Sequence, residues 1–268
     1  MTKEITAYLN YIVDDGQPSI RYVDWPEESH KSHIASYEKK MTTIHDGRAS
    51  KEEFSLNQHG FLLTNNPTKM NNFYDEKEIK DVYYPETANL IKTKSRGKQV
   101  YIFDHTVRTP LNDKHRNGWV REPVRYVHND YTELSAPQRV RDFFPNEADA
   151  LLKKRFAIIQ TWHSISSTIE SEPLALCDGR TIPTKGFIRN QRRYRDRTAE
   201  TYHISHHSSH RWYYFPKMEP AEVLVFKVFD TDKNVGVKFT AHTAFDDPSS
   251  TKDSLPRQSI EMRALVFF

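Results

Sequence analysis

Cysteine is almost absent. The lone Cys177 excludes an intramolecular disulfide framework and any cysteine-based zinc site, and it fits a reducing compartment. Glycine is scarce too: 8 in 268 residues, about 3% against roughly 7% in average usage. Neither GxGxxG nor GxxxxGK[ST] occurs, so a dinucleotide or P-loop site has no support. No apolar run approaches the roughly 18 residues of a membrane helix, and the start, MTKEITAYLN, lacks the apolar stretch of a signal peptide. The one N-x-[ST] match, Asn66-Pro67-Thr68, is disqualified by its proline. Charge of one sign is lacking as well: 39 basic against 36 acidic residues leave a net +3, which does not announce a nucleic-acid binder. A cytoplasmic protein without a membrane span is the expectation.

Aromatics, by contrast, are plentiful. Fifteen Phe, 14 Tyr and 4 Trp supply enough buried area for a core although hydrophobic residues make up only 37% of the chain. No repeat and no low-complexity linker divides it, so one domain over 1–268 is expected. Residues 1–105 read as a mixed α/β part packing on the core, with a strand at 61–63, a helix from Asp75 toward 93 and a strand at 99–105. Asp75 suits an N-cap, because its carboxylate can accept orphan backbone N–H groups. Residues 124–131 read as a strand and 135–155 as a helical insertion, with Pro137 in its first turn and Pro145 placed to split it. Strands then follow at 156–162, 173–178, 212–215, 223–229, 237–242 and 260–268. The class is α+β, with an antiparallel sandwich or barrel in the second part.

His128-Asn129-Asp130 is the first candidate for chemistry. In an extended strand, residues i and i+2 share a face, so an imidazole and a carboxylate can converge on one ion. Two histidines and a carboxylate on one face of iron(II), with positions left open, form the site of non-haem oxygenases. H-x-[DE] occurs once here, against roughly 1.7 occurrences by chance from 13 His and 36 acidic residues, so the motif alone decides nothing. A second histidine must come from a distant strand. His242 is well placed, and His210, which also precedes a strand, rivals it. Arg257, with Ser259 on its face, suits a carboxylate bound beside the metal. Arg263 competes for that role, the alternatives being a contact with substrate or an ordinary surface ion pair with Glu261.

With the segments Trp162-His-Ser-Ile, Pro173-Leu-Ala-Leu-Cys-Asp-Gly-Arg, His210-Arg-Trp-Tyr-Tyr-Phe-Pro-Lys-Met, His242-Thr-Ala-Phe-Asp-Asp-Pro and Pro256-Arg-Gln-Ser-Ile-Glu-Met-Arg-Ala-Leu-Val-Phe, the chain resembles a known family. This is the fungal AsaB-type hydroxylase/desaturase family of Fe(II)/2-oxoglutarate-dependent oxygenases, which includes gibberellin desaturases and the endoperoxide-forming enzyme of novofumigatonin biosynthesis. The resemblance spans roughly 55–268 and departs at His163, where arginine is commoner. It implies a double-stranded β-helix (jelly-roll) core over 106–268 with flanking helices. It implies Fe(II) held by His128, Asp130 and His242, with 2-oxoglutarate on Arg257 and Ser259 and with Arg263 as a further cofactor-site candidate; no catalytic side chain is implied beyond the metal centre. The implied reaction uses O2, releases succinate and CO2, and oxidises a C–H bond of an apolar, terpenoid-like fungal metabolite by hydroxylation, desaturation or endoperoxide formation.

Other features carry alternative readings. The cluster His203, His206, His207 and His210 reads as a serine-rich lid or as a zinc or copper mimic, and Trp212, Tyr213 and His210 are candidates to line a substrate pocket. The run from Arg189 to Arg197 reads as a solvated face rather than a phosphate contact, and no nucleic-acid partner is expected. Cys177 reads as an inert core thiol. The apolar end, 264–268, suits a homodimer interface as well as it suits a core. A non-catalytic jelly-roll binding protein is the competing function.

Overall fold

The computed structural model describes residues 4–111 and 118–268. Its strands, in chain order, are β1 (Glu4–Ile12), β2 (Ser19–Tyr22), β3 (Tyr37–Asp46), β4 (Phe61–Asn65), β5 (Gln99–Arg108), β6 (Val120–Arg121), β7 (His128–Asn129), β8 (Phe156–Ser164), β9 (Leu174–Cys177), β10 (Phe187–Arg193), β11 (Thr198–Ile204), β12 (Trp212–Tyr214), β13 (Glu222–Asp230), β14 (His242–Ala244) and β15 (Ser259–Phe267). They form two sheets. One runs β1-β3-β12-β9-β14-β7-β11-β10-β2, the other β4-β13-β8-β15-β5-β6. Together they make the jelly-roll core expected for the α+β class, with the helices outside it.

Side-chain alternation sorts the core into three layers. Between the sheets, Phe156, Ile158 and Trp162 of β8 meet Leu224 and Phe226 of β13, Leu265 and Phe267 of β15, and Leu176 and Tyr213 from the larger sheet. Ile159, Ile260, Met262, Ala264 and Val266 point the other way, under helix α2 (Tyr84–Ser95), which buries Leu90 and Ile91 against them. Asp75 does cap the helical segment that begins with α1 (Glu76–Glu78), accepting from the Lys77 and Glu78 N–H groups. Ala175, Cys177, Trp212 and Tyr214 form the third cluster, behind the larger sheet. Cys177 is fully buried, and burial raises its thiol to about 12.

Two expected strands are largely replaced by loop. Of 124–131 only His128 and Asn129 join a ladder, because Val127 divides its backbone bonds between Asn10 and Ile204. Of 237–242 only His242 does, since the Val237 N–H goes to Asn57 and the Ala241 carbonyl to Cys177. The helix expected over 135–155 breaks at Pro145 into α3 (Ser135–Phe143) and α4 (Ala148–Leu151). β1 and β3, within what reads as polar sequence, pair over their full lengths and extend the larger sheet. Residues 264–267 lie at 0–6% exposure inside the other sheet, so they are core rather than interface. Among the described residues no helix is long and apolar enough to cross a membrane.

Candidate metal centre

Sheet register brings the distant histidines together. His242 of β14 pairs directly with His128 of β7, so both side chains emerge from the same face of adjacent strands. Their ring centres are 4.3 Å apart, and one ligand atom from each of His128, Asp130 and His242 lies within 4.8 Å of the others. All three side chains are sheltered, and the Phe226 ring packs 4.9 Å from that of His242. His210 is not part of this group: it stacks on Tyr11 at 5.8 Å and lines a separate hollow.

Hydrogen bonds decide which donor atoms are free. His128 Nδ1 donates to the Tyr126 carbonyl at 2.7 Å and His242 Nδ1 to the Thr240 carbonyl at 3.3 Å, which leaves the lone pair of each ring on Nε2. Asp130 Oδ2 accepts from Gln160 at 2.6 Å and from Arg263 Nε at 3.0 Å, leaving Oδ1 beside His128 Nε2 at 3.3 Å. Burial opposes ionisation of Asp130, but Arg263 and His128 outweigh it and hold its carboxyl well below the usual range. Burial, reinforced by His128, pushes His242 down to about 4, so it is a neutral ligand at pH 7. Three unprotonated donors therefore converge, with no cation of the protein between them.

The two arginines divide sharply. Arg263 is not in a simple surface pair: besides Asp130 it binds the buried Thr106 and Glu261, and it reaches the exposed Asp104 at the edge. Glu261 also takes Arg108. Arg257 is 3% exposed, and its Nη1 donates to the Glu172 carbonyl at 2.7 Å. Among the described residues its Nε has no partner and no carboxylate lies within ion-pairing distance, while Ser259 Oγ and Trp162 Nε1, both buried, are equally unpartnered. The guanidinium sits 5.5 Å from the Trp162 ring centre, and burial lowers its pKa to about 10. A buried cation with one unmet donor of its own, accompanied by two more from Ser259 and Trp162, is a site built for an anion.

Sequence reasoning passed over Gln160. The available signal is parity: in β8 it shares the inner face with Phe156, Ile158 and Trp162, where an amide needs a purpose. Also unforeseen is a Tyr37 hydroxyl bonded to His203 Nδ1 at 2.8 Å, the His203 ring being 6.2 Å from that of His128. Of the pocket candidates, Tyr213 faces the interior with Phe54 and Phe61, whereas Trp212 lies in the opposite layer and donates to Tyr11. His163 points outward, stacked on Tyr83.

A family model described as an oxidoreductase/YMDC permease-like domain matches residues 7–267. The chain is 30% identical to the hydroxylase/desaturase efuI of Hormonema carpetanum, over 98% of this chain and 95% of that one. It is also 30% identical to the Fe(II)/2-oxoglutarate-dependent dioxygenase nvfI of Aspergillus novofumigatus, over 84% of this chain and 82% of that one. The solved structure of the iron and alpha-ketoglutarate-dependent endoperoxidase NvfI superimposes with a TM-score of 0.87 at 24% identity, covering 98% of both chains. That likeness carries the fold.

Proposed function

The chain belongs to the fungal hydroxylase/desaturase family of Fe(II)/2-oxoglutarate-dependent oxygenases, and from that premise we propose that it oxidises a C–H bond of a fungal secondary metabolite. His128, Asp130 and His242 would hold Fe(II), and Arg257 with Ser259 would hold the far carboxylate of 2-oxoglutarate. The observation that carries this is the direction of the hydrogen bonds: every non-ligating atom of the triad is tied to protein outside it, and the ligating atoms face only one another.

When bound, iron and 2-oxoglutarate supply the oxidising power, turning O2 and the oxoacid into succinate, CO2 and an oxidised substrate. The protein's own share is positioning and exclusion. Gln160 and Arg263 hold Asp130 to a single free oxygen, and the two backbone carbonyls fix both imidazole tautomers. Phe226 keeps water from the inner side of His242. Arg257 supplies a fixed cation in a dry setting, where its attraction to a carboxylate is little screened. Because Arg263 already neutralises Asp130 and Glu261, it acts on the metal ligand rather than on the oxoacid. A terpenoid-like substrate suits the aromatic lining around the interior, with Tyr213 on the inner face and Tyr37 and His203 beside His128. A single domain in the cytoplasm fits the shared sheets and the single buried cysteine.

The test is anaerobic addition of Fe(II) and 2-oxoglutarate. A visible charge-transfer band appears with the wild type and is lost in His128→Ala and His242→Ala. A wild type without the band, or variants that retain it, refutes the assignment in favour of a binding protein that has kept the fold alone. Product mass spectrometry with terpenoid candidates under labelled oxygen then separates hydroxylation, desaturation and endoperoxide formation.

A further inference from the structure

The face of the larger sheet that bears the triad continues past it. His203 of β11 stands opposite His128 in the ladder, as His242 does on the other side, so three imidazoles form one row across β11, β7 and β14. Ring centres lie 6.2 Å apart between His203 and His128 and 4.3 Å apart between His128 and His242. His203 is no fourth ligand, because both of its nitrogens are already engaged. Beyond it stands Tyr37, its ring centre 5.6 Å from that of His203, and then Tyr126, packed 4.4 Å from Tyr37 and 42% exposed. The row thus leads from the triad toward solvent.

Hydrogen bonds along this row run in one direction. Asn190 of β10 offers its amide Nδ2 to His203 Nε2 at 3.1 Å and to Thr201 Oγ1 at 3.5 Å. Nε2 therefore holds a lone pair, and the single proton of the neutral ring is on Nδ1. That proton goes to the Tyr37 oxygen at 2.8 Å, so Tyr37 is the acceptor in this bond and keeps its own O–H. Among the described residues that hydroxyl has no other hydrogen-bond partner. A half-buried phenol hydrogen without a protein acceptor, at the end of a fixed chain on the metal-bearing face, is a donor held ready for a ligand. Arg192, whose charge acts on both Tyr37 and His203, makes this end electropositive and suits an oxygen with lone pairs better than an amine.

We propose that Tyr37 recognises the substrate, its O–H donating to a carbonyl oxygen on an otherwise apolar scaffold, with His203 and Asn190 as the positioning residues that aim it. The inference rests on the oxygenase reading of the triad and deepens it: the substrate is an oxygenated terpenoid (a ketone, lactone or ester) rather than a hydrocarbon. One polar anchor within an aromatic lining fixes orientation, while apolar contacts supply most of the affinity.

The experiment uses the Fe(II)/2-oxoglutarate enzyme without oxygen, dialysed to equilibrium against pairs of sesquiterpenes and diterpenes, each a hydrocarbon and a ketone of the same skeleton. Wild type is expected to hold the ketones about three- to tenfold more tightly than the hydrocarbons. Tyr37→Phe, which removes one hydroxyl and keeps the ring, is expected to lose that preference. Nitrogen-15 spectra of the metal-free wild type are expected to show His203 protonated on Nδ1. A wild type that retains ketone and hydrocarbon equally, or retains neither, overturns the proposal, as does a preference that survives in Tyr37→Phe or a His203 protonated on Nε2. Both proteins are expected to keep the Fe(II)/2-oxoglutarate band, so failure here is distinct from failure of the iron assignment.

Discussion

Among the described residues two clusters bring a histidine and acidic or imidazole partners within 4.8 Å of one another: His128, Asp130 and His242, and Glu52, His59 and Asp178. Only the first can take a metal. In the second, Arg180 clasps both oxygens of Asp178, at 2.6–3.1 Å, and reaches Glu52 at 3.2 Å, so a guanidinium already stands where an ion would. His59 Nδ1 accepts the Ser55 N–H, which places its proton on Nε2, facing Glu52. The triad shows the reverse at each point: its cation, Arg263, approaches from behind Asp130, and its imidazoles donate through Nδ1. Donor proximity is thus common to both, and the direction of the protons tells them apart.

That contrast is sharpest in substitutions of the ligands themselves. His242→Ala or Asp130→Ala is expected to abolish both the charge-transfer band and succinate release, whereas Asp178→Ala leaves iron uptake unchanged; iron binding that depends on Asp178 would erase the distinction. Next in size, Arg257→Gln is expected to raise the KM for 2-oxoglutarate by roughly 30-fold or more, the cost of removing one partner of a buried charge pair. Arg263→Gln and Gln160→Leu should instead weaken iron binding about 10- to 100-fold. Measured iron Kd and oxoacid KM in all three variants separate the two roles.

A smaller effect concerns acid. Burial opposes ionisation of Glu261, but Arg108 and Arg263 outweigh it and hold its pKa at about 2, below its ordinary 4.5. Its stabilising contribution is therefore complete above pH 4.5 and is lost as pH falls toward 2. Urea unfolding of Glu261→Gln should show a flatter acid limb than the wild type. Smallest of all, Glu52→Gln is expected to cost about 0.2–1 kcal/mol, because that residue is exposed and its ion pairs are screened; thermal denaturation measures it.

Much of the site is legible in the chain itself. The i, i+2 spacing of His128 and Asp130 already places both on one face, and a polar Gln160 within apolar β8 marks the inner side of that strand. The fold is legible in part. Long apolar strands such as β8, β13 and β15 declare themselves, while β1 and β3 do not, because their polar alternation is that of half-exposed strands. Short β7 and β14 read as longer strands because their flanking residues are apolar, although the flanking backbone groups scatter their bonds over β1, β11, β9 and the Asn57 loop instead of one ladder.

Residue types by themselves argued against a nucleotide or disulfide framework, since those need glycines and cysteines the chain lacks, while the metal class and the carboxylate-binding arginine came from the family resemblance that the longer segments carry. Tertiary structure alone decided which second histidine completes the triad and which arginine stays open. His242 and not His210 stands opposite His128 because β14 lies against β7 in the sheet. Arg263 rather than Arg257 is neutralised because Asp104 faces it across the β15–β5 pair, Asp130 reaches it from the turn after β7 and Glu261 stands two residues before it on β15. Both outcomes depend on strand order, which no single segment encodes.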